Sequence, residues 1–323
     1  MTAAPTGPLT TLPSTLKLLS DPTRLRLCAL LARHELAVQE IVAITGLQQS
    51  RVSNHLSLLK RAGVVRDRRE GTWSFHSLIE PGTAGPLTPA LFAATVEPWL
   101  QSNLEDPDGK ALAAVLDRRR SRSREMHDRL ADQWGGVQDF ALGTLRSELL
   151  AMAWPCGPLV ADLGCGTGFL ADWLAGHGAR VIGVDHSERM LVEAGRRAQH
   201  AIELRQGEFD ALPLGDAEVD GAFANLVWHH LPDHDAAARE VFRVLRPGGT
   251  FVVSDLEPHD ADWLRDFMGD LRLGLRPESL IAVLARAGFE QLTSEPVRDR
   301  YRISRPGHEP TDFPMFVVRG RKP

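Results

Sequence analysis

The sequence predicts two domains of different class: a helical module closed by a β-hairpin, then an α/β module built on a parallel sheet. Three observations carry this. A chain of 323 residues is longer than one core usually organises. Between Leu16 and residue 80, short apolar-striped segments are punctuated by turn residues and end in two β-prone runs around Gly71. From Leu159 onward, short apolar strands alternate with helical segments, which is the pattern of a parallel sheet.

Composition sets the outer limits. The chain is 43% hydrophobic and 24% charged, with no apolar run near the length of a membrane span, so no membrane partner is expected. Residues 1–15 lack the basic start and apolar core of a secretory signal, and with three prolines they read as a flexible tail. Cys28, Cys156 and Cys165 are too few and too scattered for a disulfide framework, which fits a reducing, cytoplasmic setting. The net charge of −5 is unevenly spread: residues 1–80 carry +4 and the remainder −9. A basic module on an acidic one suggests that only the first meets a polyanion.

In the first module, Asp21-Pro22 is a capped helix start with proline at the first helical position. The run Arg24–Ala32 places Leu25, Cys28, Ala29 and Ala32 on one stripe. A short helix over Val38–Ile44 ends at Thr45-Gly46, and a third runs from about Gln48 to Ala62. There Val52, Leu56 and Leu59 share one face, with Ser50, Asn54, Ser57 and Arg61 opposite. An apolar underside and a small-polar, basic outer face after a glycine turn make the recognition-helix pattern of a helix-turn-helix. The segment Val64–His76, with its charged turn at Gly71, reads as a hairpin wing, making the module an α+β winged helix-turn-helix over residues 16–80.

The pieces Asp21-Pro-Thr-Arg-Leu-Arg-Leu27, Ser50-x-x-Ser53-x-His55-Leu56-x-x-Leu59 and Ala62-Gly-Val-Val65 stand in the order found in winged-helix repressors of the ArsR type, which the module resembles. The resemblance implies a homodimer reading an inverted-repeat operator in double-stranded DNA. Gln49, Ser50, Ser53 and Asn54 would enter the major groove, and Arg68 and Arg69 would touch phosphate. His55 lies at the edge of the apolar stripe and suits a structural role as well as a DNA contact. Many such repressors sense metals through Cys-x-Cys before the turn; here Ala37 and Gln39 occupy those positions, so that site cannot form. No N-terminal histidine cluster has ligand spacing either, and no metal ligands are assigned.

Residues 81–131 read as a helical connector or dimerisation region. Pro81–Pro86 breaks the chain, Pro89–Leu100 forms an apolar helix, and Gly109–Leu130 forms a second with Arg118, Arg119, Arg120, Arg122 and Arg124. Interspersed Asp117, Glu125 and Asp128 make that basic run a solvated face before a DNA contact.

The second module, residues 132–323, centres on Val160-Ala-Asp-Leu-Gly-Cys-Gly-Thr-Gly168. Glycines at i, i+2 and i+4 after a strand allow close backbone approach at a helix start. Phe169 stands where the third glycine of the dinucleotide fingerprint G-x-G-x-x-G would fall, so a dinucleotide is not the expected ligand. The predicted strands are Leu159–Leu163, Arg180–Val184 ending in Asp185, Ile202–Gln206, Asp220–Ala224 and Thr250–Ser254, with a turn at Arg246–Gly249. Asp185 would lie beside the glycine loop, where it can accept both hydroxyls of a ribose.

Together with Gly183-Val-Asp185-x-Ser187, Leu212-Pro213, His229-His230-Leu-x-Asp233, Leu245-Arg-Pro-Gly-Gly249 and Ala287-Gly-Phe289, this train resembles class I S-adenosylmethionine (SAM) methyltransferases of the ubiquinone/menaquinone-biosynthesis type. The resemblance implies an α/β Rossmann-like fold with a mostly parallel seven-stranded sheet. It assigns SAM, with S-adenosylhomocysteine (SAH) as product, to Asp162, Gly164, Cys165, Gly166, Gly168, Asp185, His186, Glu208, Phe209 and Asn225. Asn225, His229 and His230, following the fourth strand, are the candidate catalytic residues for transfer to a small-molecule acceptor. Arsenite is not the expected acceptor: Cys165 lies inside the glycine loop and Cys156 stands alone. Nor is a nucleic acid, since no Asn/Asp-Pro-Pro-Tyr/Phe motif follows that strand.

The fusion is therefore expected to be a transcriptional regulator whose DNA affinity responds to SAM, SAH or the acceptor. The alternative is an active small-molecule methyltransferase whose winged helix serves autoregulation or dimerisation only.

Overall fold

The computed structural model describes residues 8–70, 73–79, 81–82, 85–102, 107–153 and 157–323. Gly71 of the hairpin turn, residues 83–84 of the connector break, Cys156 and the first seven residues of the tail lie outside them. The chain divides into two compact units, residues 1–119 and 120–323. The 24-residue helix Pro107–Leu130 contributes its first part to one and its last turns to the other.

In the first unit, helices span Pro8–Leu19, Pro22–Arg33, Val38–Thr45 and Gln49–Arg61. Asp21 caps the second by accepting the N–H groups of Thr23 at 2.8 Å and Arg24 at 3.2 Å, satisfying donors that the helix leaves orphaned. Gly46 ends the third in the left-handed region at φ +68°, the conformation that lets the chain turn directly into Gln49–Arg61. Three strands follow the antiparallel order β1 (Leu36–Ala37), β3 (Trp73–Leu78), β2 (Val65–Glu70). The expected stripe of Val52, Leu56 and Leu59 is buried with Leu27, Ile41 and Val64. Two short helices, Pro89–Thr95 and Glu97–Ser102, replace the single one expected. The tail reading also changes: the chain is helical from Pro8 despite Pro13. Thr15 and Leu19 are buried, and that packing outweighs the local preference against a helix.

The second unit is an eight-stranded sheet: β4 (Gln138–Phe140), β5 (Leu159–Leu163), β6 (Arg180–Asp185), β7 (Ile202–Gln206), β8 (Val219–Asn225), β9 (Leu245–Leu256), β10 (Glu290–Ile303) and β11 (Thr311–Arg321). Their order is β4-β10-β11-β9-β8-β5-β6-β7. The run from β9 to β7 is parallel, and β11, β10 and β4 add antiparallel strands. The strand beyond the expected seven is β4, three residues that pair Phe140 with Tyr301 and Gln138 with Ile303. So short a strand has no alternation to read; it exists because β10 presents an edge to it.

Both faces are covered. Ala161, Ile182 and Phe251 join one core with the helix His234–Val244, while Val160, Val181 and Phe223 join the other with the helix Phe169–Gly176. Arg246–Gly249, expected as a turn, falls inside β9 but is skipped by its pairing: Leu245 pairs with Val219 and Thr250 with Gly221. A register irregularity before Gly221 and the φ of +78° at Gly248 absorb the glycine-rich stretch without ending the strand.

Candidate functional site

The parallel strands place the ends of β5, β6 and β8 at one edge of the sheet, where loops gather around a cleft of about 1210 Å³, its open mouth included. The glycine loop forms its floor. Gly164, Gly166 and Gly168 all have positive φ, at +71°, +51° and +82°. A Cβ on Gly164 would stand 2.6 Å from Val227 Cγ2, so close packing excludes any side chain there. At Gly166 the nearest foreign atom is Trp134 Nε1 at 3.9 Å, so that position faces open space. The N–H groups of Gly164 and Cys165 donate to the Val184 carbonyl at 2.7 and 2.9 Å, tying the loop to the end of β6.

Asp185 completes the tie. Its carboxylate accepts from the Gly166 N–H at 2.9 Å and the Ser187 N–H at 2.8 Å. Two amide bonds leave lone pairs on both oxygens for further donors. Burial raises its pKa, opposed by His186 and by those two amides. Asp162, beneath the loop, is pushed up to about 7 by burial and by the Asp185 charge, and its Oδ2 has no hydrogen-bond partner among the described residues.

The far wall comes from the second unit's share of the helix Pro107–Leu130. Glu208 pairs with Arg124 and lies 3.7 Å from His186 Nδ1. Burial alone would raise the Glu208 pKa; hydrogen bonds and charge from His186 and Arg124 overcome it and hold the group at about 2. His186 Nε2 lies 2.9 Å from His127 Nδ1. Burial drives His127 down to about 3, and its Nε2 is buried with no hydrogen-bond partner among the described residues. Phe209 meets Trp228 edge-on at 6.4 Å.

After β8 the chain passes through Leu226 at φ +56°, an unfavourable conformation for a leucine that marks the bend over the cleft. Ser254 Oγ donates to Asn225 Oδ1 at 2.7 Å, fixing that amide. His229 is buried, with Nδ1 2.7 Å from Asp255 Oδ1. Burial opposes its charge, but Asp255 and Asp270 raise its pKa to about 9. His230 Nδ1 lies 3.3 Å from the Gly269 carbonyl, and burial with the neighbouring His229 and His127 holds it well below its ordinary value. The cationic His229 is thus committed to carboxylates, while His230 is neutral.

Of the residues read from the sequence for the cofactor and for catalysis, all but Gly168 line this one cleft. Sequence reasoning missed Ser123, His127, Trp134, Gln138, Asp270 and Tyr301, which line it too. They come from segments before the glycine loop and from beyond the last parallel strand, with no local motif to mark them.

In the first unit, Gln49, Ser50, Ser53 and Asn54 are exposed along the start of the helix Gln49–Arg61. Arg69 is exposed, whereas Arg68 is half-buried, pairs with Glu35 at 2.7 Å and lies over the Phe75 ring. His55 is half-buried and its Nδ1 has no hydrogen-bond partner among the described residues.

Comparison with known proteins divides the chain in the same way. Residues 21–67 match the family described as bacterial regulatory protein, arsR family, and residues 161–253 match a methyltransferase domain family. A probable SAM-dependent methyltransferase of Mycolicibacterium smegmatis is 42% identical over 29% of this chain and 37% of its own length. An arsenite methyltransferase of Halobacterium salinarum is 32% identical over 49% of this chain and 44% of its own. The ubiquinone/menaquinone biosynthesis C-methyltransferase UbiE of Rubrivivax gelatinosus is 33% identical over 42% of this chain and 55% of its own. The chain therefore spans about half or less of each relative's length.

Proposed function

From an arsR-family helix-turn-helix at residues 21–67 and a class I SAM-dependent methyltransferase domain at 161–253, we propose that this protein is a DNA-binding regulator that also methylates a small molecule. The observation that carries the enzymatic half is the glycine loop locked to Asp185 through the Gly166 amide at 2.9 Å. The loop leaves an open cradle for the methionine portion of SAM, and the free lone pairs of Asp185 suit ribose hydroxyls. Phe209 and Glu208 supply an apolar and an acidic surface for adenine. Binding requires Glu208 to exchange or share its partner Arg124. Asn225 and neutral His230 sit where an acceptor would meet the sulfonium methyl, and positioning supplies much of the rate for such a displacement.

The test is calorimetric titration of the whole chain with SAM and SAH, with the Gly166→Arg chain alongside. Because Gly166 faces open space, the arginine fills the cleft and is expected to abolish binding. Undiminished SAM affinity in that variant would sink the assignment.

The regulatory half is the binding of an inverted-repeat duplex by a homodimer, through Gln49, Ser50, Ser53 and Asn54 in the groove with Arg68 and Arg69 at the backbone. Arg68 would have to exchange or share its partner Glu35. We propose further that cleft occupancy changes DNA affinity. One helix supports this: Asp108 and Arg119 pair with Arg26 and Glu40 in the first unit, and in the second His127 forms cleft wall and Arg124 pairs with the cleft residue Glu208. A ligand that displaces Arg124 from Glu208 would bind two states of that helix unequally, the condition for coupling. Operator affinity measured at saturating SAM, SAH or neither is expected to differ by roughly 5–150-fold between conditions. Constant affinity across all three would leave an enzyme with an uncoupled DNA-binding module.

A further inference from the structure

We infer that His229, His230 and Asp270 form a binding site for a divalent first-row transition ion in the wall of the cleft. One ligand atom from each of the three lies within 4.8 Å of the others, and all three residues are buried. The two imidazoles converge on one oxygen: Asp270 Oδ1 is 3.8 Å from His229 Nε2 and 3.9 Å from His230 Nε2. An ion among them would stand ~2.0–2.2 Å from each imidazole nitrogen and carboxylate oxygen, so the three side chains would draw together around it.

The surroundings are those of a metal site. A ligating histidine ordinarily donates its second ring N–H to a carboxylate or a carbonyl, which fixes the tautomer and aims the other nitrogen. Both do so here. His229 Nδ1 is 2.7 Å from Asp255 Oδ1, and the same carboxylate accepts the His229 backbone N–H at 3.1 Å. His230 Nδ1 is 3.3 Å from the Gly269 carbonyl. With both Nδ1 positions so occupied, the Nε2 atoms are left for Asp270 and an ion, and binding displaces the proton that the cationic His229 carries on Nε2. The set has no thiolate, and two imidazoles with one carboxylate suit Zn(II), Fe(II), Mn(II) or Co(II) with further positions open. Those positions face the cleft, because all three residues line it. Beside the set stands His127, whose ring lies 4.9 Å from that of His230 and whose buried Nε2 has no hydrogen-bond partner among the described residues.

This site lies in the cleft proposed for SAM and its acceptor, and is distinct from the cysteine-type sensor that Ala37 and Gln39 rule out. Sequence gave no reason to join the histidine pair to an aspartate forty residues on.

The test uses the tag-free full-length chain, stripped with chelator and titrated with Co(II). The expected result is one ion per chain, with a visible d–d spectrum showing nitrogen ligation. Asp270→Asn and His230→Gln are expected to lose it, and Asp255→Asn to weaken affinity by roughly 10–100-fold, the usual effect of removing an outer-shell partner. Circular dichroism and thermal melting of each variant report that it folds. Should a variant fail to fold, SAM-free pH-jump release of Co(II) from the wild type, monitored in the same bands, still tests imidazole ligation. No stoichiometric uptake by the wild type, or unchanged uptake by the folded Asp270→Asn and His230→Gln chains, would overturn the inference.

Discussion

The Asp185 carboxylate accepts the backbone N–H of Gly166 at 2.9 Å, so the acid at the end of β6 holds the glycine loop at the end of β5 in place. One group therefore shapes the loop and faces the cleft. Asp185→Ala is expected to weaken SAM binding by roughly 10–150-fold, the range for losing hydrogen bonds to a charged group. Calorimetry checks this, and affinity within twofold of wild type would remove Asp185 from the cofactor site.

Two glycines of similar backbone conformation separate packing from strain. At Gly164, φ is +71° and an added Cβ meets Val227 at 2.6 Å; at Gly178, φ is +90° and nothing lies within 4 Å. Gly178→Ala carries only the left-handed backbone penalty, about 1–2 kcal/mol. Gly164→Ala adds overpacking and is expected to cost about 1–3 kcal/mol more. Urea unfolding of the two variants measures the gap; equal losses would mean Val227 yields freely.

The Glu208 pKa of about 2 has a defined consequence with pH. It lies below the ordinary glutamate value of 4.5, so the folded state binds the proton less readily than the unfolded chain does. The resulting stability is fully present above 4.5 and is lost as pH falls from 4.5 toward 2. The stability advantage of wild type over Glu208→Gln should accordingly be constant at neutral pH and shrink below 4.5. Thermal melts across that range check the sign, and an advantage that grows on acidification would contradict it.

On the helix Gln49–Arg61, which the proposal assigns to DNA, Ser50 and Asn54 are exposed and can be changed without disturbing the core of Val52, Leu56 and Leu59. Asn54→Ala is expected to cost about 1–3 kcal/mol of operator binding and to relax preference at one base position. Arg69→Ala should weaken all duplexes alike and reduce the salt slope by about 1. Fluorescence anisotropy over a salt series distinguishes them, and no change with either variant would remove this face from DNA binding.

Much of the site was legible because its parts are local. A strand, a glycine loop and a helix start occupy adjacent residues from Leu159 to Gly176, and the acid closing β6 follows within the next unit of the pattern. The helix Gln49–Arg61 was legible for the same reason: Val52, Leu56 and Leu59 recur at helical spacing and are buried together. The turn expected at Arg246–Gly249 is a bulge carried inside β9, unpaired with β8, with Gly248 at φ +78°, and the tail is helical from Pro8 because burial of Thr15 and Leu19 outweighs proline.

By itself, then, the sequence determined the two-domain order, the parallel sheet, the glycine loop and the acids at its rim, all set by periodicity and backbone geometry over a few residues. Only the tertiary structure decided what faces them. It set Arg124 against Glu208, His127 against His186, and Asp270 against His229 and His230. Each of those pairs joins residues far apart in the chain. Their juxtaposition depends on how the sheet is ordered and how the helices cover it, which no local pattern encodes.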